Sequence, residues 1–429
     1  MDTWLKISLL LCTFGFFREM RPSEPFVTEY LAGDWRNLTT ETVYQEVYPF
    51  GTYSVLAQLV LVFLFTDLLR YKPIIVLSSL AGITLFAMLL WTRTLLELQL
   101  AQIFFGFFTA AEVAYYTYMY AKVERERYQI VTGHTRAAIL GGKFLGGILA
   151  QLLVSTDSMS FRQLHFISLA TQIISLPIAL LLPRVPRSLY FYAPAKPAQI
   201  PLPASTETTM APKFSLQNAG HLLWFHLTSS YTNPIVLTWS IWWTLATCGQ
   251  VQVITYIQFL WKDLAPDNES KYNGGVEAVA TLLGAIGALF AGMLNSNIRR
   301  NFYMLMNSFC VALLGGLLLL AALCESVWLA YIGYAIFCAV FFFIITVAAA
   351  IIAKNLVDDS FGLVFGINML VALGLQTILT VVVVTDTGYG LPPKDQYIVY
   401  GSYFLCLAAI FLVLRLLIHL FAKKKSSES

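Results

Sequence analysis

The side chains able to do chemistry are few, and they sit where lipid would not accept them. The stretch FGFFREMRPSEPF at 14–26 places two arginines, two glutamates and two prolines in the second half of an apolar segment that begins at Trp4. An ionised group at membrane depth is costly unless it faces protein or a water-filled cavity, so these charges imply a polar interior. On a continuous helix Phe14, Phe17, Arg21, Glu24 and Thr28 share one side, aromatic low down and charged higher up. Arg21 and Glu24, three residues apart, can pair with each other or with polar groups on the apolar segments near 236–261 and 273–294.

A second position of this kind is Glu112, the single acid of the run 105–120. It shares a broad helix face with Phe105, Phe108, Thr109, Tyr115, Tyr116 and Met119. A carboxylate flanked by aromatic rings suits a flat cation, drawn by the ring quadrupoles and by the acid where water is scarce. The same arrangement also suits an acid paired inside the bundle. Glu112 lies fifteen residues before Arg127 and Lys143 sixteen after it. Antiparallel helices turning near Arg127 therefore bring the two to similar depth, which allows an ion pair that partly neutralises the acid before any cargo arrives.

Later segments add polar side chains without basic ones. Trp239, Trp242, Trp243, Gln250, Gln252, Thr255 and Tyr256 crowd one segment, where Cys248, Gln252, Thr255 and Phe259 share a face. Asn273, Glu277 and Thr281 form a second stripe, and Asn368, Gln376 and Thr380 a third. Each stripe reads either as cavity lining or as hydrogen-bonded glue between helices. Nothing supports catalysis: there is no P-loop, HExxH or nucleophile elbow, and the histidines fall at helix ends or in a linker. The six cysteines have no CxxC or metal-ligand spacing and read as small packing residues. No enzyme activity, cofactor or metal is expected.

What must position these residues is a bundle that spans a membrane. Of the 429 residues 12% are charged and 58% apolar, and the mean hydropathy is +0.69, outside the range of a soluble domain. The net charge of +3 reflects lysines and arginines in cytoplasmic loops, and no nucleic-acid partner follows from it. Apolar runs of spanning length fall near 4–30, 50–69, 73–91, 97–121, 133–154 and 163–182, then near 236–261, 273–294, 303–323, 327–353, 360–385 and 396–422. Between the two sets, 183–235 holds eight of the sixteen prolines and is a linker, within which 214–231 can form a short surface helix.

This divides the chain into a six-helix bundle at 1–182, a cytoplasmic linker at 183–235, a second six-helix bundle at 236–422 and a basic tail at 423–429. The expected class is an all-α membrane protein of twelve transmembrane helices in the major facilitator arrangement, with a site at the midplane between the bundles. The ladders Gly142, Gly146, Ala150 and Gly284, Ala288, Gly292 permit close approach of helices 5 and 8 across the bundles, or close packing within one. Lys6 precedes an apolar run, but no small-x-small site follows it, so no signal cleavage is expected. With both termini cytoplasmic, about fifteen loop Lys and Arg fall inside against about six outside. The sequons at Asn37 and Asn268 then land outside, as glycosylation sites.

Six motifs carry a resemblance to the reduced folate carrier and thiamine transporter family. They are MRPSEPF at 20–26, TDLLRYKP at 66–73, AEVAYY at 111–116, YNGGVE at 272–277, VFGIN at 364–368 and YGSY at 400–403. The resemblance implies a vitamin carrier working by alternating access. Within the family the folate branch carries basic residues on helices 4, 10 and 11, and this chain has Glu112, Cys338 and Gln376 there, which looks like the thiamine side. It departs from the thiamine pocket at Gly51, where a ring-stacking Trp is expected, at Gln102, where an acid is, at Phe105, where a Tyr is, and at Thr255, where an Asn is. Lys143 is a further departure.

The expectation is therefore a multi-pass plasma-membrane carrier of thiamine or a related small heteroaromatic cation, with a proton or a counter-anion as the candidate coupling species. Glu24, Phe86, Phe105, Glu112, Tyr115, Tyr116, Gln252, Thr255, Tyr256, Glu277 and Gln376 are expected at the substrate site, with Glu112, Lys143 and Arg21 in ion pairs beside it. A reduced folate carrier is the alternative within the family. A non-transporting membrane receptor or scaffold is the alternative of another class.

Overall fold

The computed structural model describes residues 3–33, 35–36, 38–123, 128–185, 216–265, 271–293, 300–324, 326–356 and 361–427. Asn37, Asn268, the turn at Arg127 and most of the linker lie outside the described residues. Among the described residues every regular element is helical. The chain opens with α1 (Thr3–Glu19), a 3-10 turn at Glu24–Phe26 and α2 (Val27–Leu31). Next, α3 (Thr40–Thr42) and a π turn at Val43–Val47 lead into α4 (Tyr48–Leu68). Then come α5 (Lys72–Trp91), α6 (Leu95–Ala110), α7 (Glu112–Lys122), α8 (Tyr128–Ser155) and α9 (Phe161–Leu181). After α10 (Leu216–Tyr231), within the expected linker, follow α11 (Pro234–Leu264), α12 (Asn273–Met293), α13 (Arg300–Leu323), α14 (Val327–Lys354), α15 (Phe361–Val383) and α16 (Pro393–Ser427).

Among the described residues ten helical stretches are long and apolar enough to cross a membrane. The two other expected segments are α1, only 17 residues long, and α11, which has 31 residues but carries Gln250, Gln252 and several Thr and Trp that lower its hydropathy. The basic residues at 423–425 continue α16 as helix, which runs to Ser427.

The expected helix over 4–30 is broken, and with it the continuous face through Phe14, Arg21 and Thr28. Pro22 and Pro25 lack amide protons and restrict the residues before them, so α1 stops at Glu19. A break inside a membrane needs partners for its freed backbone groups. From α9, Gln172 donates to the Arg18 carbonyl (3.0 Å), Thr171 to the Met20 carbonyl (2.8 Å), and the Ser168 hydroxyl accepts from the Ser23 amide (3.1 Å). From α11, the Gln258 amide donates to the Glu24 carbonyl (2.9 Å) and accepts from the Thr28 amide (3.3 Å).

Helices pack closely around this break. A Cβ on Gly142 would lie 2.4 Å from the Phe16 carbonyl oxygen, so only glycine lets α8 approach α1 here. Gly147 and Gly274 meet in the same way, joining α8 to α12: a Cβ on either would lie 2.8 Å from the other's carbonyl oxygen. Of the two readings of the ladders, packing within one part of the chain is the one the ladder glycines take. Gly142 and Gly146 face α1, and Gly284 faces Phe342 of α14, within the same part of the chain, while the contact between α8 and α12 runs through Gly147 and Gly274.

Candidate functional site

Five charged side chains converge where α1 ends. Arg18 and Arg21 each place a guanidinium nitrogen 2.8 Å from a different oxygen of the Glu19 carboxylate, itself only 4% exposed. Arg21 also reaches Glu24 at 2.7 Å, and the Glu24 side chain is 44% exposed. Lys143 of α8 approaches Glu19 at 3.4 Å and stays 45% exposed. Both guanidinium groups stand over the Phe108 ring, at 4.3 Å and 5.4 Å from its centroid. This core of charge is held by forked and stacked contacts suited to arginine.

Arg18 does a second thing. Its other guanidinium nitrogen donates to the Phe108 carbonyl at 2.6 Å. In an unbroken helix that oxygen would accept from the amide of residue 112. The expected helix over 97–121 is instead interrupted at Ala111, and Glu112 opens α7. An acid in a first helical turn is favoured by the positive end of the helix dipole.

The expected ion pair between Glu112 and Lys143 is not formed. The break after Glu19 brings a different acid to Lys143, and Glu112 makes no ion pair among the described residues. Glu112 nevertheless belongs to the same site. Lys143 lies within electrostatic range of Glu24 and Glu112, and Glu277 of α12 within range of Glu24 and Lys143. Glu277 accepts a hydrogen bond from the Tyr334 hydroxyl (3.2 Å). Tyr116, half-buried, stands within electrostatic range of Glu112 and Glu19.

Other expected site residues are placed elsewhere. Tyr115 is buried with its hydroxyl on the Leu11 carbonyl (2.8 Å), and its ring lies against Phe14 and Tyr116. Gln252 is fully buried, donating to the Tyr400 hydroxyl (2.9 Å) and accepting from Thr380 (3.0 Å), so it joins α11, α15 and α16 as glue. Thr255 is turned back onto the Val251 carbonyl (2.7 Å). Tyr256 is buried against Tyr48 and Phe259, Phe86 against His165, and Gln376 lies buried on α15. Phe105 stays half-buried near Gly51, where the Gln102 side chain fills the space beside the glycine. The side chain of Met119 lies outside the described residues.

One end of the site is sealed by polar contacts between the first and second parts of the chain. Glu29 of α2, nearly buried, receives Lys271 at 2.5 Å and Lys262 of α11 at 3.5 Å. Gln151 of α8 donates to the Lys271 carbonyl (3.0 Å) and accepts from the Gly275 amide (2.9 Å). Farther along the seam, α4 and α15 meet where Phe63 covers Gly366.

Comparison with known proteins agrees with this architecture. The sequence profile described as reduced folate carrier matches residues 2–399. The chain is 38% identical to thiamine transporter 1 of Mus musculus, covering 96% of this chain and 89% of that one. It is 38% identical to thiamine transporter 2 of Homo sapiens (96% and 90%) and 35% identical to the reduced folate transporter of Homo sapiens (95% and 72%). Among solved structures, the peptide transporter PepTSo of the POT family superposes with a TM-score of 0.68 at 10% identity, covering all of both chains. A mutant of the nucleoside transporter NupG superposes with a TM-score of 0.61 at 15% identity, covering 95% of this chain and 99% of that one. The fold is that of the major facilitator transporters.

Proposed function

We propose what this protein moves from the fact that it belongs to the reduced folate carrier family, whose members are membrane transporters and not enzymes: a small heteroaromatic cation of the thiamine kind. The observation that carries the reading is Glu112. It is an acid at a helix break, free of any ion pair among the described residues, beside Tyr116 and the arginine-stacked Phe108. A carboxylate left without a counter-charge in a low-dielectric cavity is a site for a cation, and nearby rings add their quadrupoles. The identity to two thiamine transporters supports the same cargo.

The transport cycle in this reading is alternating access at the plasma membrane. Residues 1–182 and 236–422 rock as two six-helix bundles about the charged site, joined by the cytoplasmic linker 183–235, with both termini inside. The end sealed by Glu29, Lys262 and Lys271 is then the outer one. Glu24 and Lys143 keep nearly half of their side-chain surface exposed while that end is closed. Glu277, hydrogen-bonded to a neutral Tyr334 and without an ion pair among the described residues, is the group suited to exchange a coupling proton.

A folate cargo is the second reading, favoured by Lys143 and by the relatives named for folate. A competition panel separates the two. Labelled thiamine uptake in cells expressing the chain should be blocked by unlabelled thiamine and not by a reduced folate. Saturable folate uptake without thiamine uptake would replace the cation reading, and no flux of either from correctly delivered protein would favour a receptor or scaffold.

A further inference from the structure

We propose that the site has a second, positively charged half built on Lys143, and that its preferred cargo is a zwitterion: a heteroaromatic cation bearing one anionic group such as a phosphate ester. This rests on the cation reading of Glu112 and extends it. Within the charged cluster the arginines are fully committed. Arg18 is bound to Glu19 and to the Phe108 carbonyl, and Arg21 is divided between Glu19 and Glu24. Two arginines and two glutamates thus cancel, and with the coupling proton held on Glu277 one acid, Glu112, and one base, Lys143, remain. Those two lie within electrostatic range of each other yet form no ion pair.

Lys143 is spare in geometry as well as in charge. Each oxygen of Glu19 already holds a guanidinium at 2.8 Å, and Lys143 stands off at 3.4 Å. Gly146, Gly147 and Ala150 share its helix face at i+3, i+4 and i+7. Gly146 lies against Arg21, and Gly147 against Gly274 and Ala278 of α12. The lysine therefore lies on the helix face that meets the end of α1 and α12, and it stays 45% exposed there. An ammonium with three rotatable donors and a loose partner can turn to an incoming oxyanion. Beyond Glu19, the acids facing it are Glu24, Glu112 and Glu277. With Glu277 protonated, a site holding one loosely committed charge of each sign is matched by a cargo with one of each, so that neither is left unpaired.

The test compares thiamine with its phosphate monoester, which has the same rings and differs by the anionic group. In the wild-type protein the ester should inhibit labelled thiamine uptake at least as strongly as unlabelled thiamine. Lys143→Met should lower the ratio of ester uptake to thiamine uptake by roughly tenfold or more, the loss of a charge-assisted hydrogen bond, and Lys143→Arg should restore most of that ratio. An ester that fails to compete at a hundredfold excess over thiamine overturns the inference and leaves the cation reading standing. So does an unchanged ratio in Lys143→Met, which is the result if the lysine serves only as an electrostatic tie to Glu19 or Glu277. Loss of all thiamine transport by the wild-type protein would instead remove the cation reading beneath it.

Discussion

Arg18 holds the carbonyl of Phe108 at 2.6 Å, the acceptor that a continuous helix would have offered to the amide of residue 112. One guanidinium thus ties the end of α1 to the interruption before α7, and the free acid of the site is the first residue beyond it. Two breaks far apart in sequence are in this way a single structural unit.

Arg18→Met should therefore damage both folding and transport. It strands the buried Glu19 carboxylate with less compensation, a change of roughly 3–5 kcal/mol when one partner of a buried pair is lost. A marked fall in thermal stability in detergent should follow. Arg18→Lys keeps the charge but not the fork that spans carboxylate and carbonyl, so the surviving protein should show a raised KM for the cation. A wild-type melting temperature for Arg18→Met would show that the tie is dispensable.

The polar seal at the other end makes a conformational prediction. Glu29 gathers Lys262 of α11 and Lys271 from just before α12. Glu29→Gln removes the charge common to both contacts and should bias the protein toward opening at that end. A cysteine placed at Tyr48, beside Thr28 under the seal, should then react faster with an impermeant thiol reagent applied outside. Equal labelling with and without the Glu29 substitution would count against the seal.

Much of this was legible from residue types, and the limits have physical causes. The charges at 18–24 and at Glu112 announce a polar interior because lipid forbids them elsewhere. What periodicity could not supply was the partner. Counting residues along straight helices matches Lys143 to Glu112, whereas Pro22 and Pro25 end α1 early and bring Glu19 to it instead. Glu19 lay in plain view beside Arg18, and its place just before a proline break was the signal available. Gln252 reads equally as lining or as glue, because an amide in an apolar segment calls for a polar partner of either kind. Its partners, Thr380 and Tyr400, are 128 and 148 residues away, a separation at which helix-face arguments say nothing. Gln258 was missed for the same reason, since its partners are backbone groups freed by a break on another helix.

The proposed orientation can be checked by glycan mapping. Asn37→Gln and Asn268→Gln should each remove one step in gel mobility that glycosidase also removes, and a sequon engineered into 196–212 should acquire no glycan. A glycan on the engineered site would reverse the sidedness of the bundle.

The most direct measurement is the initial rate of labelled thiamine uptake into proteoliposomes containing Glu112→Gln, at matched amounts of folded protein. The substitution keeps the shape of the side chain and removes only its charge. The spare acid is proposed to be what holds the cation, so the rate at low substrate should fall by roughly thirtyfold or more, the scale of a lost charge interaction in a desolvated site. Uptake at the wild-type rate would contradict the account.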